Sequence, residues 1–417
     1  MSDVWVIGSA STAFARWPEQ THRELAETAV LGALSDAGFA DGSPAEAVWF
    51  GCCAMNVFGQ DNIRGQVALQ PLVRAGRLDG TAPIVNVEGG CATGTATLHG
   101  AFTAIAAGQA DTVLAVGVEK TWVPHDPAKS LQLFLGGIDM QHPEEWRAFY
   151  AEAGARAGQV FAPIPQRVVF LDVHAMAARR HMARYGTTPE QLASVAAKNH
   201  ENGKRNPLAQ YRFGATVESV LADKPVVEPF TRSMCAPISD GAAAVVLVSG
   251  ARLRKLPSEV RERAVRIRAC ALGGGTWREL DAPSVVAHTA ARAYRKAGVR
   301  PEDIQIAEVH DANAWSELHA MEELGFCGAG EGGPYAASGA TGLAGERPVN
   351  ASGGLIAKGH PLGATGLGMI DELMAQLRQE AGERQVVGAP SLALQQNAGG
   401  MVGFDEALCG VTILERG

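Results

Sequence analysis

The sequence predicts an α/β protein made of two related halves, with a loop domain inserted in the first. Three observations lead there. The order strand, helix, strand occurs at the start of the chain and again from residue 264, and both helices end in Ala-Gly. Each half then carries a strand, a glycine-rich turn and a helix of small residues. Between Thr121 and Phe230 that rhythm stops, and prolines, aromatics and basic residues become commoner. Strands alternating with helices favour sheets covered by helices.

In the first half, Asp3 to Gly8 reads as a strand, Leu25 to Gly38 as a helix and Ala47 to Gly51 as a second strand. Gly38 and Gly298 can end their helices because glycine takes the left-handed conformation without a steric penalty. The apolar stretch from Pro83 meets Gly89-Gly90-Cys91, and a helix of small residues runs on to Ala107. Within the insert, helices are expected over Val173–Tyr185 and Pro189–Asn199, with Thr187 or Thr188 near the second N-cap. Ser239 to Ser249 resumes the first half as a buried strand, and Arg252 to Arg263 is a charged connector. The second half repeats the pattern. Ala264–Cys270 is a strand, Val286–Gly298 a helix and Ile304–His310 a strand, and a helix runs from near Pro361 towards Leu377. The resulting units are 1–120 with 231–251, the loop domain 121–230, and 264–417.

The 417 residues suit two or three such units. A net charge of -8, without a basic tail or aromatic-basic surface, speaks against nucleic-acid binding. No apolar run reaches the roughly 18 residues of a membrane span. The seven cysteines are odd in number and scattered, which suits a reducing compartment and makes the cytoplasm the expected location. Neither the opening Met1-Ser-Asp-Val nor the closing Leu-Glu-Arg-Gly has the pattern of a targeting signal. Without a C-x-x-C pair, spaced acidic ligands or a nucleotide-type glycine motif, neither a metal nor a permanently bound cofactor is expected.

Two segments carry the chemistry. A lone cysteine is usually just packed, but Cys91 has Gly89 and Gly90 before it and Gly94 after it. At a helix N-terminus its thiolate is favoured. A lone histidine is usually structural or solvated, but His360 lies in Gly359-His360-Pro361-Leu362-Gly363-Ala364-Thr365-Gly366, where the glycines imply a close backbone approach. Together they point to covalent acyl chemistry at a cysteine.

The chain resembles the thiolase superfamily from end to end, within the branch related to the sterol-carrier-protein-2 thiolases. The resemblance rests on Gly89-Gly90-Cys91; Lys198-Asn199-His200 with Asn206-Pro207 and Gln210; Cys235 to Gly241; His310-Asp311; and Asn350 to Gly366. It implies a duplicated αβαβα five-layer core, a loop domain that binds substrate and makes dimer contacts, and acyl transfer with coenzyme A as substrate rather than resident cofactor. It makes Cys91 the acyl-accepting nucleophile and His360 its activator. His310 then positions a water or oxyanion at the carbonyl, and Gly399 donates a backbone N–H to the acyl-enzyme oxygen. Arg179, Arg180, Lys198, Lys204 and Arg205 are candidates for the CoA phosphates, although basic residues on surface helices are usually only solvated.

One departure matters. Thiolases carry a second cysteine for the α-carbon proton, in a Cys-x-Gly motif or as the third residue of His-Asp-Cys-Phe. Here those places hold Asn397 and Ala312. His310 is the first choice for the proton, with Asn313, Cys327 and Asn397 as other substitutes. Thiolysis of a 3-oxoacyl-CoA is the leading expectation. A ketoacyl-synthase-like condensation, a retro-aldol cleavage of a 3-hydroxyacyl-CoA and a non-catalytic acyl-CoA scaffold follow. A homodimer is expected. A small zinc-ribbon and OB-fold partner is a further possibility, as in atypical heteromeric members such as the benzoylsuccinyl-CoA thiolases.

Overall fold

A computed structural model describes residues 2–417. Its strands are β1 (Val4–Ser11), β2 (Ala47–Gly51), β3 (Ile84–Val87), β4 (Thr112–Glu119), β5 (Pro225–Val227), β6 (Phe230–Thr231), β7 (Gly241–Ser249), β8 (Val265–Gly274), β9 (Ile306–Glu308), β10 (Leu392–Gly399) and β11 (Leu408–Arg416). Nine of them form one sheet in the order β3-β2-β4-β7-β1-β8-β11-β10-β9, while β5 and β6 pair apart.

The duplication is visible in the pairing. In the first half β2 and β4 are parallel, and β4–β7 and β7–β1 are antiparallel. In the second, β9 and β10 are parallel, and β10–β11 and β11–β8 are antiparallel. The halves join where Trp5 and Val6 pair with Arg266 and Val265. Strands β4 and β7 are buried along their whole length, which explains their unbroken apolar sequences.

Helices complete five layers. His22–Asp36 covers the outer face of the first half, packing Leu25, Val30 and Leu34 with Val48, Leu114 and Val246. Val285–Ala297 does the same for the second half through Ala290 and Ala293 against Leu394 and Val411. Between the half-sheets lie Thr93–Ala106 and Leu362–Leu377, which share one core through Leu98, Ile105, Leu367 and Ile370. Burying each such Leu or Ile is worth roughly 1.5–3 kcal/mol. The two central helices meet backbone to backbone, because a Cβ on Gly94 would lie 2.9 Å from the Gly363 carbonyl oxygen. That contact brings the N-terminal ends of both helices, and the residues just before them, to one place.

Local signals explain the element ends. Thr21 and Glu24 make a capping box before His22–Asp36, and Gly38 beyond it sits at φ +77°. Gly298 at φ +66° ends Val285–Ala297. Thr188 caps Pro189–Lys204. The segment 121–230 adds no strand to the large sheet. Besides Val169–Tyr185 and Pro189–Lys204 it holds three helices beyond those expected: Pro127–Leu135 and Pro143–Arg156, each with proline in its first turn, and the short Val217–Leu221. The charged connector contains two short helices, Gly250–Leu253 and Ser258–Glu262. Among the described residues, no helix is long and apolar enough to cross a membrane.

Candidate active site

Cys91 lies in the short turn Gly90–Ala92 that leads into Thr93–Ala106, with Gly90 at φ +57°. The Thr93 hydroxyl accepts from the Gly89 N–H at 2.9 Å and donates to the Gly90 carbonyl at 2.7 Å, holding the turn shut. His360 sits two residues before the other central helix. Its N–H donates to Ser239 Oγ at 3.0 Å, and Ser239 in turn donates to Gln210 Oε1 at 2.6 Å. His310 follows the end of β9, where its N–H donates to Gln396 Oε1 at 3.0 Å. The next residue, Asp311, is buried and accepts from the Leu355 N–H at 2.7 Å and from Asn199 at 2.8 Å, anchoring the loop.

These three turns bring Cys91 Sγ and a ring nitrogen of both His310 and His360 within 4.8 Å of one another. They face a cavity of about 120 Å³ that Gly399 also lines. Its wall is chiefly apolar, with Phe134, Phe170 and Leu171 from the inserted segment and Ile238, Trp315 and Met401 from the core.

The electrostatics differ from the expected thiolate. Burial, and then the Glu119 carboxyl, push the Cys91 thiol up to about 12. Burial lowers His360 to about 3, and His310 lies well below its usual value from burial and from the neighbouring His360 and His174. The resting site is therefore a neutral thiol between two neutral imidazoles. Desolvation outweighs the helix N-terminus here.

The neighbours decide which nitrogen of each ring carries the proton. The Thr365 hydroxyl donates to the Pro361 carbonyl at 2.9 Å, so it accepts from His360 Nδ1 at 2.8 Å. His360 Nε2 is left with a buried lone pair and no partner among the described residues. The Asn397 amide donates to His310 Nδ1 at 2.8 Å, which places the His310 proton on Nε2. One histidine can take a proton from sulfur, and the other can offer a hydrogen bond to an oxygen.

The comparisons with known proteins bear on the family. The family model for the thiolase N-terminal domain matches residues 4–251, and the thiolase C-terminal domain-like model matches 276–413. The chain belongs to the thiolase family. It is, as expected, an acyltransferase of that family. An acetyl-CoA acetyltransferase of Methanothermobacter thermautotrophicus is 37% identical over 413 residues, covering 97% of this chain and 98% of the relative. Sterol carrier protein 2 of Bos taurus is 36% identical over 406 residues, 95% of this chain and 70% of that protein, which agrees with the branch expected from the motifs. A solved structure described as an Ltp2-ChsH2(DUF35) aldolase superposes with a TM-score of 0.76 at 23% identity, covering 100% of this chain and 98% of that one.

The other residues singled out in the sequence of this thiolase have partners elsewhere in the fold. Lys198 pairs with the fully buried Glu317 at 2.6 Å and donates to the Val349 carbonyl at 2.6 Å. Arg179 is spent on Gln159 and the Glu228 carbonyl, and Arg180 is bidentate to Asp281 at 3.2 and 2.7 Å. Lys204 and Arg205 both turn to Glu201 on their own helix. None of the five lines the cavity that holds Cys91. The substitutes for the second cysteine also fall away as proton carriers. Asn313 caps the helix Ala314–Glu323 and donates to His174 Nδ1 at 2.8 Å. Cys327 packs outside the cavity, against the core of the second half. Asn397 is at the site, but as the amide that orients His310.

The sequence reading missed Glu119, Thr365 and Gln396. Thr365 lies in the His360 motif, five residues on, where one helical turn returns to the imidazole. Glu119 left no such signal. It is fully buried and accepts from the Cys52 and Cys53 thiols at 3.0 and 2.9 Å and from the Cys53 and Ala54 N–H groups at 2.9 and 3.1 Å. His22, Cys52 and Glu119 also bring ligand-type atoms within 4.8 Å. The carboxylate there is already filled by four donors, and Lys120 and Arg64 disfavour a further cation. Cys91, His310 and His360 form the second such set, with three ligand-type atoms equally close.

Proposed function

We propose that this thiolase cleaves a 3-oxoacyl-CoA with free CoA through an acyl-enzyme on Cys91. The observation that carries this reading is the convergence of the Cys91 thiol, the His360 lone pair and the His310 N–H on one apolar cavity. As Cys91 Sγ bonds to the 3-keto carbon, its proton passes to His360 Nε2. Because the free ion pair is uphill in this buried site, the proton moves with the attack and not before it. The C2–C3 bond then breaks, and the enolate oxygen of the departing thioester accepts a hydrogen bond from His310 Nε2–H, which keeps its proton. His360 returns its proton to C2, which completes the shorter acyl-CoA. One imidazole thus carries the same proton from sulfur to carbon, and a second thiol is not required. In the second half-reaction the CoA thiol gives its proton to His360, sulfur attacks the acyl-enzyme, and Cys91 leaves with that proton. A backbone N–H at Gly399 supports the acyl oxygen in both halves. Donors held in a dry site of this kind are each worth about 3 kcal/mol. Run backwards, the same atoms perform a Claisen condensation.

The protein works as a homodimer in the cytoplasm. Support for the dimer comes from β3, which ends the large sheet with Val85 exposed, and from the exposed Ile63 and Phe58. The seven unpaired cysteines suit a reducing compartment. A small accessory subunit that delivers the CoA ester is a partner suggested by the two-part name of the Ltp2-ChsH2(DUF35) aldolase, whose fold this chain shares.

The test is mass spectrometry of the intact protein after incubation with acetoacetyl-CoA and a panel of longer 3-oxoacyl-CoAs. An acyl mass on the Cys91 peptide, discharged by added CoA, is the expected result. Acylation elsewhere, or none with any member of the panel, would overturn the reading.

A further inference from the structure

Behind His310 runs a row of buried polar side chains that the reaction above does not use. Thr95, Gln395 and Asn397 are fully enclosed. The Gln395 amide donates to Thr95 Oγ1 at 2.6 Å, the Thr95 hydroxyl donates to Asn397 Oδ1 at 2.9 Å, and the Asn397 amide donates to His310 Nδ1 at 2.8 Å. Every bond points towards the imidazole. The row links the helix that follows Cys91 to β10 and ends at the ring facing the substrate.

A chain of amides and a hydroxyl can run in either direction, so the far end decides. As it stands, the unpartnered atom is Gln395 Oε1, and the Gln395 amide faces Met369 Sδ at 3.8 Å. Reversal would put the Gln395 amino group where no acceptor exists and turn its oxygen towards sulfur. A buried N–H without a partner is rarer than an under-used carbonyl oxygen. Thr95 is also held in place. A Cβ on Gly366 would lie 2.3 Å from its hydroxyl, and one on Gly410 2.1 Å from its methyl. Two glycines therefore close around this one side chain.

We infer that Thr95 and Gln395 are positioning residues: through Asn397 they keep His310 as an Nε2–H donor towards the substrate oxygen and prevent it from acting as a base. The inference builds on the proposed role of His310, but its first readout is independent of substrate.

The test is nitrogen NMR of the intact protein with isotope-labelled histidine, in which His310 is assigned by its loss in His310→Gln. The expected result is a proton on Nε2 across the range from about pH 6 to 9, where free imidazole would titrate. Thr95→Val keeps the shape and removes the hydroxyl. It should mix or move the tautomer and lower kcat for cleavage about tenfold or more, with KM within about twofold, as a misplaced tautomer does in other enzymes. Thr95→Ser should restore both. A wild-type proton on Nδ1 overturns the inference, and so does a Thr95→Val protein with the wild-type tautomer. Should Thr95→Val not fold, the wild-type spectrum and Thr95→Ser still decide. A protein with its proton on Nε2 that is never acylated at Cys91 would sink the proposed reaction and leave the relay standing.

Discussion

His310 and His360 meet edge to face, with ring centroids 5.0 Å apart and planes at 77°, yet their neighbours prepare them for opposite tasks. Thr365 takes the N–H of His360 and frees its Nε2 lone pair, while Asn397 fills the Nδ1 lone pair of His310 and leaves its Nε2–H. Two identical side chains become an acceptor and a donor facing one cavity.

Cys91→Ser should abolish thiolysis, by about 10³-fold or more, because an alkoxide is far harder to form than a thiolate. The fold should stay intact, since one sulfur-to-oxygen change leaves the packing nearly unaltered. Steady-state thiolysis and a thermal melt on the same sample check both. Near-wild-type turnover would mean that carbon–carbon cleavage does not pass through this sulfur.

Alkylation of Cys91 in the empty site should keep accelerating as pH rises through about 9, without a plateau near neutrality. With the thiol pushed up to about 12, only about one molecule in ten thousand is thiolate at pH 8, from 8 − 12 = −4 on the logarithmic scale. Glu119→Gln removes the carboxyl that pushes the thiol up and should speed alkylation at fixed pH. Iodoacetamide labelling followed by peptide mapping measures this. A plateau by about pH 7 would indicate a preformed thiolate–imidazolium pair.

His310→Ala should slow carbon–carbon cleavage by about 10²–10³, the usual cost of one donor at a developing oxyanion. It should slow acylation by a simple thioester less. His310→Gln offers an N–H and should recover part of the loss, whereas a true proton carrier could not be replaced by an amide. Paired rates for the three proteins decide between those roles.

Lys198→Met should destabilise the protein by about 3–5 kcal/mol, because it strips the partner from the buried Glu317. The folded fraction should keep the wild-type KM for CoA. Denaturant melts and CoA titrations separate the two effects. A raised KM with unchanged stability would return Lys198 to the phosphates.

Much of this was legible in the chain. The repeated strand, helix and strand, a capping threonine at 187 or 188 and the terminal glycines at 38 and 298 announce themselves locally, because backbone geometry demands particular residues there. Cys91 and His360 stand out for the same reason, in turns that only glycine can make. Partners that meet across the fold left no mark. Glu119 looks like the end of an apolar strand, and Lys198 like one more basic residue on a helix. The thiol's proton affinity was misjudged because the helix N-terminus can be read locally, whereas desolvation depends on everything that covers the sulfur. Asn397 was noticed as a missing cysteine, but its bond to His310 joins positions 310 and 397, which no local pattern connects.

The backbone contact at Gly94 and Gly363 ties together parts of the chain that are synthesised far apart. Cys91 and His360 are separated by 360 − 91 = 269 residues, one from each repeat. Chain segments so distant must await nearly complete synthesis before they can meet. A nascent or broken polypeptide carries the sulfur without its base, and the reactive centre exists only after both repeats have folded and docked. Catalytic competence therefore arises only once both repeats are in place.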